Sequence, residues 1–216
     1  MRPTTTFRSK KEFVYETIRE RILSGELEPE TRLIIDELSS DLGVSPIPVR
    51  EALQQLQSEG LVTIEPYVGA RVAEMHKESI EEIFALLEAT EVISGRAACS
   101  RLTDDDLAQI ESLLHAMDAT VNDVERWSEQ NVELHQLFCE KANMPLVGAL
   151  MQQVVDYWNR LRRLYLEQVF SRRIRDAQRD HWILLEALRT RDPDKVEKVV
   201  QEHNRQALAG YLRHLE

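Results

Sequence analysis

Leu38-Ser39-Ser40-Asp41-Leu42-Gly43-Val44-Ser45-Pro46-Ile47-Pro48-Val49-Arg50-Glu51-Ala52-Leu53-Gln54-Gln55-Leu56-Gln57-Ser58-Glu59-Gly60 is the stretch whose reading decides the fold. A short helix is predicted to stop at Gly43, where glycine takes a positive φ at little cost. Ser45 is placed to cap a second helix by accepting from its first free N–H groups. Pro46 suits the first helical position, and Pro48 still falls in the first turn. Within that helix Val49, Leu53 and Leu56 share one face by their spacing, and Ile47, Arg50 and Gln54 share another. A helix, a glycine turn and a second helix with a polar face is the helix-turn-helix plan for reading a major groove. Taken alone, the stretch fits an ordinary helical hairpin as well.

The flanking sequence separates those two readings. Upstream, Lys10–Ser24 carries Phe13, Ile18, Ile22 and Leu23 as the stripe of an amphipathic helix that ends before Gly25. Leu27–Leu33 is expected to be a turn around Pro29. Downstream, Leu61–Ile64 and Ala70–Ala73 are β-prone runs joined by Glu65-Pro66-Tyr67-Val68-Gly69, a hairpin tip with Pro and Gly punctuation. Helix, helix, recognition helix and two-stranded wing make a winged helix-turn-helix, expected over residues 1–75, and that order points to DNA.

These residues also match a family. Val14-Tyr15-Glu16, Ile22–Leu27, Leu42-Gly43-Val44-Ser45, Pro48–Leu53 and Glu59-Gly60-Leu61-Val62 resemble the DNA-binding domain of GntR-family transcriptional regulators. The resemblance implies DNA contacts at Ser45, Arg50 and the wing glycine Gly69. The family usually has Arg-Thr before the Pro-Val-Arg run, where this chain has Pro46-Ile47. Arg50 can bridge guanine O6 and N7 or clamp a phosphate, and Ile47 can touch a thymine methyl or pack. Gln54 completes the exposed face. Lys10 and Lys11, following Arg2 and Arg8 with no acid before Glu12, are candidates for phosphate contact.

Bulk charge does not supply DNA affinity. The chain of 216 residues carries a net −11. Its first 75 residues hold nine Lys/Arg against thirteen Asp/Glu, so the contact must come from a local basic face. At 43% hydrophobic and 30% charged, the composition is that of a globular protein with ample core material. No run approaches the ~20 apolar residues of a membrane span, and the start lacks the apolar core of a signal peptide. Cys99 and Cys139 sit in helical contexts and read as reduced packing residues, so a cytoplasmic protein is expected.

Beyond a polar linker expected at Glu74–Ser79, everything reads as helix, giving an all-α domain over residues 76–216, which the GntR resemblance implies is the effector-binding and dimerisation domain. Helices are expected over Ser79–Leu102, after an N-cap at Thr103, over about Asn122–Ala142, from Pro145 to about Gln168, from Ser171, and from Pro193 to near Leu215. The whole is therefore mainly α, a winged helix-turn-helix followed by a bundle of six to seven helices. Three of the six histidines fall on apolar faces of different helices: His135 beside Val132, Phe138 and Cys139; His181 beside Ala177, Leu184 and Leu185; His203 beside Val199, Val200 and Ala207. Asn131 lies one turn before His135. Any one of these fits a hydrogen-bonded core histidine. Three together suit a metal site, since facing helices build such sites and imidazole suits zinc, nickel, copper or iron.

Glu91, Arg96-Ala97-Ala98, Thr103-Asp104, Ala142–Leu146, Asp180-His181 and His203 resemble the FCD ligand-binding domain of the FadR subfamily. The resemblance implies a divalent metal, zinc or nickel foremost, on His135, His181 and His203, with Asn131 where the family usually has an acidic ligand. It also implies an effector, an organic acid facing a cation. The family's arginine position holds Leu87, which leaves Arg160, Arg163 and Arg96 as candidates. The expected function is a homodimeric regulator, a repressor, binding a palindromic double-stranded DNA operator, with no catalytic residues. Two alternatives remain at this point, a metal-dependent hydrolase on the three histidines and a regulator with a purely structural metal.

Overall fold

The structure, a computed structural model, describes residues 9–215 apart from the side chains of Phe138 and Glu167. Arg2, Arg8 and the expected packing of Phe138 on His135 lie outside what it describes. The chain divides into two compact units between Met75 and His76.

In the first unit α1 (Lys10–Leu23) begins where the Ser9 hydroxyl accepts from the Glu12 N–H at 3.1 Å. Val14, Ile18 and Ile22, one turn apart, are its buried residues. After β1 (Arg32–Leu33), α2 (Ile35–Leu42) ends at Gly43 with φ 64°, and α3 (Pro46–Ser58) follows. Val49, Leu53 and Leu56 are buried in this unit's core, while Ile47 is 64% exposed and Arg50 and Gln54 face solvent.

Ser45 stands at the N-cap, but its hydroxyl makes no capping bond. A capping oxygen takes the N–H of the second or third helical residue; Pro48, the third, has none, which leaves only the Ile47 N–H, and the Ser45 hydroxyl does not accept from it. The expectation of a Ser45 cap is corrected on that ground, and its hydroxyl stays exposed.

The wing is β2 (Val62–Glu65) and β3 (Gly69–Val72), antiparallel, with Thr63 opposite Arg71 and Glu65 opposite Gly69. β1 adds a third strand against β3, giving the order β1-β3-β2, where the sequence suggested only a turn. Two residues are too few for alternation to register. The Arg32 guanidinium donates to the Val68 carbonyl at 3.0 Å and braces the wing. At the opposite edge of the unit the Tyr15 hydroxyl lies 2.9 Å from both Glu59 oxygens, fixing α1 to the end of α3. Burial, then the Glu59 carboxylate, pushes the Tyr15 phenol up, so it stays a donor.

The second unit contains α4 (Lys77–Cys99), α5 (Asp104–Thr120), α6 (Val124–Lys141), α7 (Pro145–Leu164), a π-helical turn (Leu166–Phe170), α8 (Ser171–Arg189) and α9 (Pro193–Leu215). The expected linker is shorter than its polar sequence suggested. α4 starts at Lys77, and both Ala73 and Met75 are buried. α5 opens with a capping box in which the Thr103 hydroxyl accepts from the Asp106 N–H and the Asp106 carboxylate accepts from the Thr103 N–H. Lys141, then the Thr103 backbone and hydroxyl, bring the Asp106 carboxyl down to about 2. The fourth bundle helix stops at Leu164 rather than Gln168, and Tyr165 separates it from the π-helical turn.

The long helices α4 and α9 pack along one another, and Gly95 sets their spacing. A Cβ there would lie 2.9 Å from the Val196 Cγ1, a branched side chain with little room to yield. Gly95→Ala is expected to destabilise the protein by about 1–3 kcal/mol through overpacking. A urea midpoint that falls without a change in slope would register it; an unchanged midpoint would mean that α4 and α9 separate without cost.

Candidate metal centre and DNA-reading face

The three histidines expected to act together do meet. His135 on α6, His181 on α8 and His203 on α9 each offer a ring nitrogen, and these nitrogens lie within 4.8 Å of one another. Their ring centres are 4.9–5.5 Å apart. His135 is 8% exposed and His181 2%.

Each ring is oriented differently. The His135 Nδ1 lies 2.7 Å from the Glu91 Oε1, and the other Glu91 oxygen accepts from the Asn204 amide at 2.7 Å. Burial alone would raise the Glu91 carboxyl, but His135 and Asn204 outweigh it and the net shift is downward. The His203 Nδ1 lies 3.4 Å from the Asp180 Oδ2. In both rings a carboxylate on Nδ1 leaves Nε2 as the nitrogen available to a ligand, the usual arrangement behind a metal-bound imidazole. Neither nitrogen of His181 has a hydrogen-bond partner among the described residues. Burial, then the charges of His203, His135 and Arg173, drives its imidazolium well below the ordinary range, so the ring is neutral, the form that ligates. Leaving two buried nitrogens unpaired is costly, and a metal ion among these rings would satisfy one of them. The residues fit such an ion.

Stacking holds the His181 ring. It lies 5.7 Å from the Trp127 indole at an interplanar angle of 15°. The Trp127 N–H donates to the Gln178 side chain at 3.2 Å, and Gln178 in turn donates to the Leu114 carbonyl at 3.0 Å.

His135 and His203 border a mostly apolar cavity of about 60 Å³, and His181 is not part of its wall. Asn131, 5% exposed, is in its wall, as is Leu87, the position where the family resemblance implied an arginine. The arginines nominated from sequence are elsewhere. Arg96 is a surface residue bridging Asp194 at 2.7 Å and Glu197 at 2.5 Å. Arg163 is exposed, and Arg160, buried at 3% exposure, is not part of the cavity wall. The arginine in the wall is Arg173, which the sequence reading passed over, as it did Glu91 as a site residue. A signal existed for Arg173: Phe170 and Ala177, three residues before and four after, lie on its face and line the same cavity.

In the first unit the Ile47, Arg50 and Gln54 side chains form one exposed face of α3. The Arg50 side chain is exposed, and its guanidinium has no hydrogen bond or ion pair among the described residues. Gly69 takes φ 109° at the start of β3, and Tyr67 at the wing tip takes φ 66° with its ring fully exposed. Lys10 opens α1 and is exposed, while Lys11 is half-buried.

Comparison with known proteins adds to this geometry. Residues 81–206 match the FCD domain family, and residues 10–72 match the family described as bacterial regulatory proteins, gntR family. The HTH-type transcriptional regulator McbR of Escherichia coli (strain K12) is 28% identical over 204 residues, covering 91% of this chain and 90% of McbR. The HTH-type transcriptional repressor RspR of the same organism is 27% identical over 192 residues, covering 88% of this chain and 83% of RspR. Among solved structures, E. coli McbR/YncC superposes with a TM-score of 0.69 at 25% identity, covering 95% of this chain and 98% of that one.

Proposed function

This chain belongs to the gntR family of bacterial regulatory proteins, in the branch whose second domain is the FCD domain, and from that premise we propose that it is a repressor released from its operator by a small organic acid. It is a transcriptional regulator of gntR/FCD type and not an enzyme. The operator is a palindromic double-stranded site, read by a homodimer whose two copies of α3 enter successive major grooves. Leu86 and Ile93, two turns apart on α4, are 47% and 46% exposed and suit burial against a second copy. No helix among the described residues is long and apolar enough to cross a membrane, in keeping with a cytoplasmic regulator.

One observation carries the effector half of this reading: the convergence of His135, His181 and His203 beside a cavity, with the His181 nitrogens unpaired. These three residues would hold a divalent ion, zinc or nickel, which when bound supplies a Lewis-acidic positive centre for a carboxylate oxygen. Asn131 offers an amide oxygen but no charge, so no direct ligand carries a negative charge, which comes only from Glu91 and Asp180 behind two of the imidazoles. An anionic effector makes up that deficit. Metal and acid therefore bind with mutual enhancement, and the acid favours whichever dimer geometry opens the cavity to it.

The test is fluorescence anisotropy with the DNA upstream of the protein's own gene, across a salt series, for zinc-loaded and chelated protein. The expected result is specific, salt-sensitive binding whose response to small carboxylic acids disappears on chelation. Sequence-blind binding would overturn the operator reading. An acid response that survives chelation would overturn the metal-borne effector, and a chelated protein that melts with no acid response in either form would leave the metal a structural role.

A further inference from the structure

Arg173 on α8 and Tyr211 on α9 line the same cavity as His135 and His203. Neither terminal nitrogen of Arg173 makes a hydrogen bond among the described residues, and both are buried. Its ion partner, the Asp180 Oδ2, is 3.6 Å away, beyond hydrogen-bond reach, and that same oxygen lies 3.4 Å from the His203 Nδ1. The acid is thus divided between an imidazole and a guanidinium and saturates neither.

Tyr211 is 4% exposed, and its hydroxyl also has no hydrogen-bond partner among the described residues. Its ring is fixed between Phe84, 5.6 Å away, and Tyr165, 6.0 Å away. Burial pushes the phenol up, with Arg162 and Arg173 pulling against it, and it stays a neutral donor. Arg162 sits 5.7 Å from the ring centres of both Trp158 and Phe170, with its Nε unpaired. The side chain of Arg173 passes over Gly210, where a Cβ would come within 3.1 Å of its Cδ.

These donors form a set. A guanidinium and a phenol belong to the wall of one cavity, their hydrogen-bonding atoms buried and without hydrogen-bond partners among the described residues, and a second guanidinium stands close enough to shift the phenol. Buried donors without acceptors are rare in native proteins and mark a place for a ligand. On the acceptor side, Glu91 is taken up by His135 and Asn204, so the wall holds no free carboxylate for Arg173. The volume of about 60 Å³ suits a short molecule and not a long acyl chain.

We propose that Arg173 and Tyr211 are a second anion subsite of this cavity, and that the effector is a short dicarboxylate. One carboxylate lies at the histidines and the other accepts from the Arg173 guanidinium and the Tyr211 hydroxyl. This rests on the reading that an organic acid binds at the histidines and adds the second recognition point.

The experiment titrates acetate, malonate and succinate into the zinc-loaded full chain and follows the fluorescence of Trp127 and Trp158, both in the cavity wall. Malonate or succinate is expected to bind at least about tenfold more tightly than acetate. Tyr211→Phe keeps the ring packing and removes only the hydroxyl. Like Arg173→Gln, it is expected to weaken dicarboxylate binding by about ten- to a hundredfold and to erase the preference for a dicarboxylate over acetate. Acetate binding as tightly as both dicarboxylates, or both variants binding them like the parent, would overturn the subsite while sparing the reading beneath it. Failure of all three acids to bind the zinc-loaded parent would overturn both.

Discussion

His181→Ala will remove tight metal binding and leave the metal-free protein close to its original stability. The first half follows from geometry, because one of three converging imidazoles is lost. The expected loss of affinity exceeds the roughly 10–100-fold that accompanies removal of a residue merely supporting a ligand. The second half follows from two opposing terms. Truncating a large buried side chain to alanine costs about 2–5 kcal/mol. Each of the two nitrogens of His181, buried without a partner, carries a penalty of about 1–3 kcal/mol that the alanine relieves. The readout is the melting temperature with and without zinc. At a free concentration about a hundred times Kd, binding stabilises the parent by about 2.7 kcal/mol, a rise of roughly 5–10 °C for a protein of this size. The variant is expected to give no rise. A variant that still responds to zinc would mean that the ion binds elsewhere, and a metal-free variant that fails to fold would mean that the His181 nitrogens are satisfied in solution.

Arg50→Ala has the largest expected effect on operator binding. An arginine reading a base contributes about 1–3 kcal/mol of discrimination, and a symmetric dimer presents it twice. Specific affinity should fall by roughly thirty- to twenty-thousandfold, while affinity for unrelated DNA changes little. A phosphate clamp predicts something different: weakening that is similar on every sequence, with the salt dependence reduced by about one ion per copy. The operator-to-random ratio, measured at several salt concentrations, separates these roles. Equal affinity of variant and parent on every DNA would exclude Arg50 from the interface. Pro46 makes the result sharper, because the arginine usual at that position in the family is absent and less redundancy remains. In an acidic unit with an exposed, unpaired Arg50, specificity is concentrated on few side chains.

The sequence was most legible where a residue type has one physical use. Gly43 ends α2 at positive φ, and Pro46 opens α3 at its first position, both as their chemistry requires. The three histidines were found because each had apolar neighbours at helical spacing, a signal that survives without knowing how the helices pack. The N-cap at Thr103 was readable for the same reason, since caps are local. What stayed hidden depended on distant partners. β1 exists because β3 pairs with it, and two residues carry no pattern of their own. Glu91 reads as an ordinary helical acid until His135 arrives from another helix. Arg173, among Arg172, Arg175 and Asp176, reads as solvated surface, and only the apolar residues on its own face say otherwise. Ser45 was misread for the opposite reason: its residue type promised a cap, and the proline three positions on withdrew the donor.

α4 reaches from the junction of the two units to the cavity. It begins at Lys77, next to the boundary after Met75, and carries Glu91 into the cavity wall. At ~1.5 Å per residue the two positions are ~21 Å apart along one unbroken helix. Such a rod is a lever. A tilt of ~5° about the Glu91 end moves the Lys77 end by ~2 Å, a displacement larger than most interface atoms undergo when a complex forms.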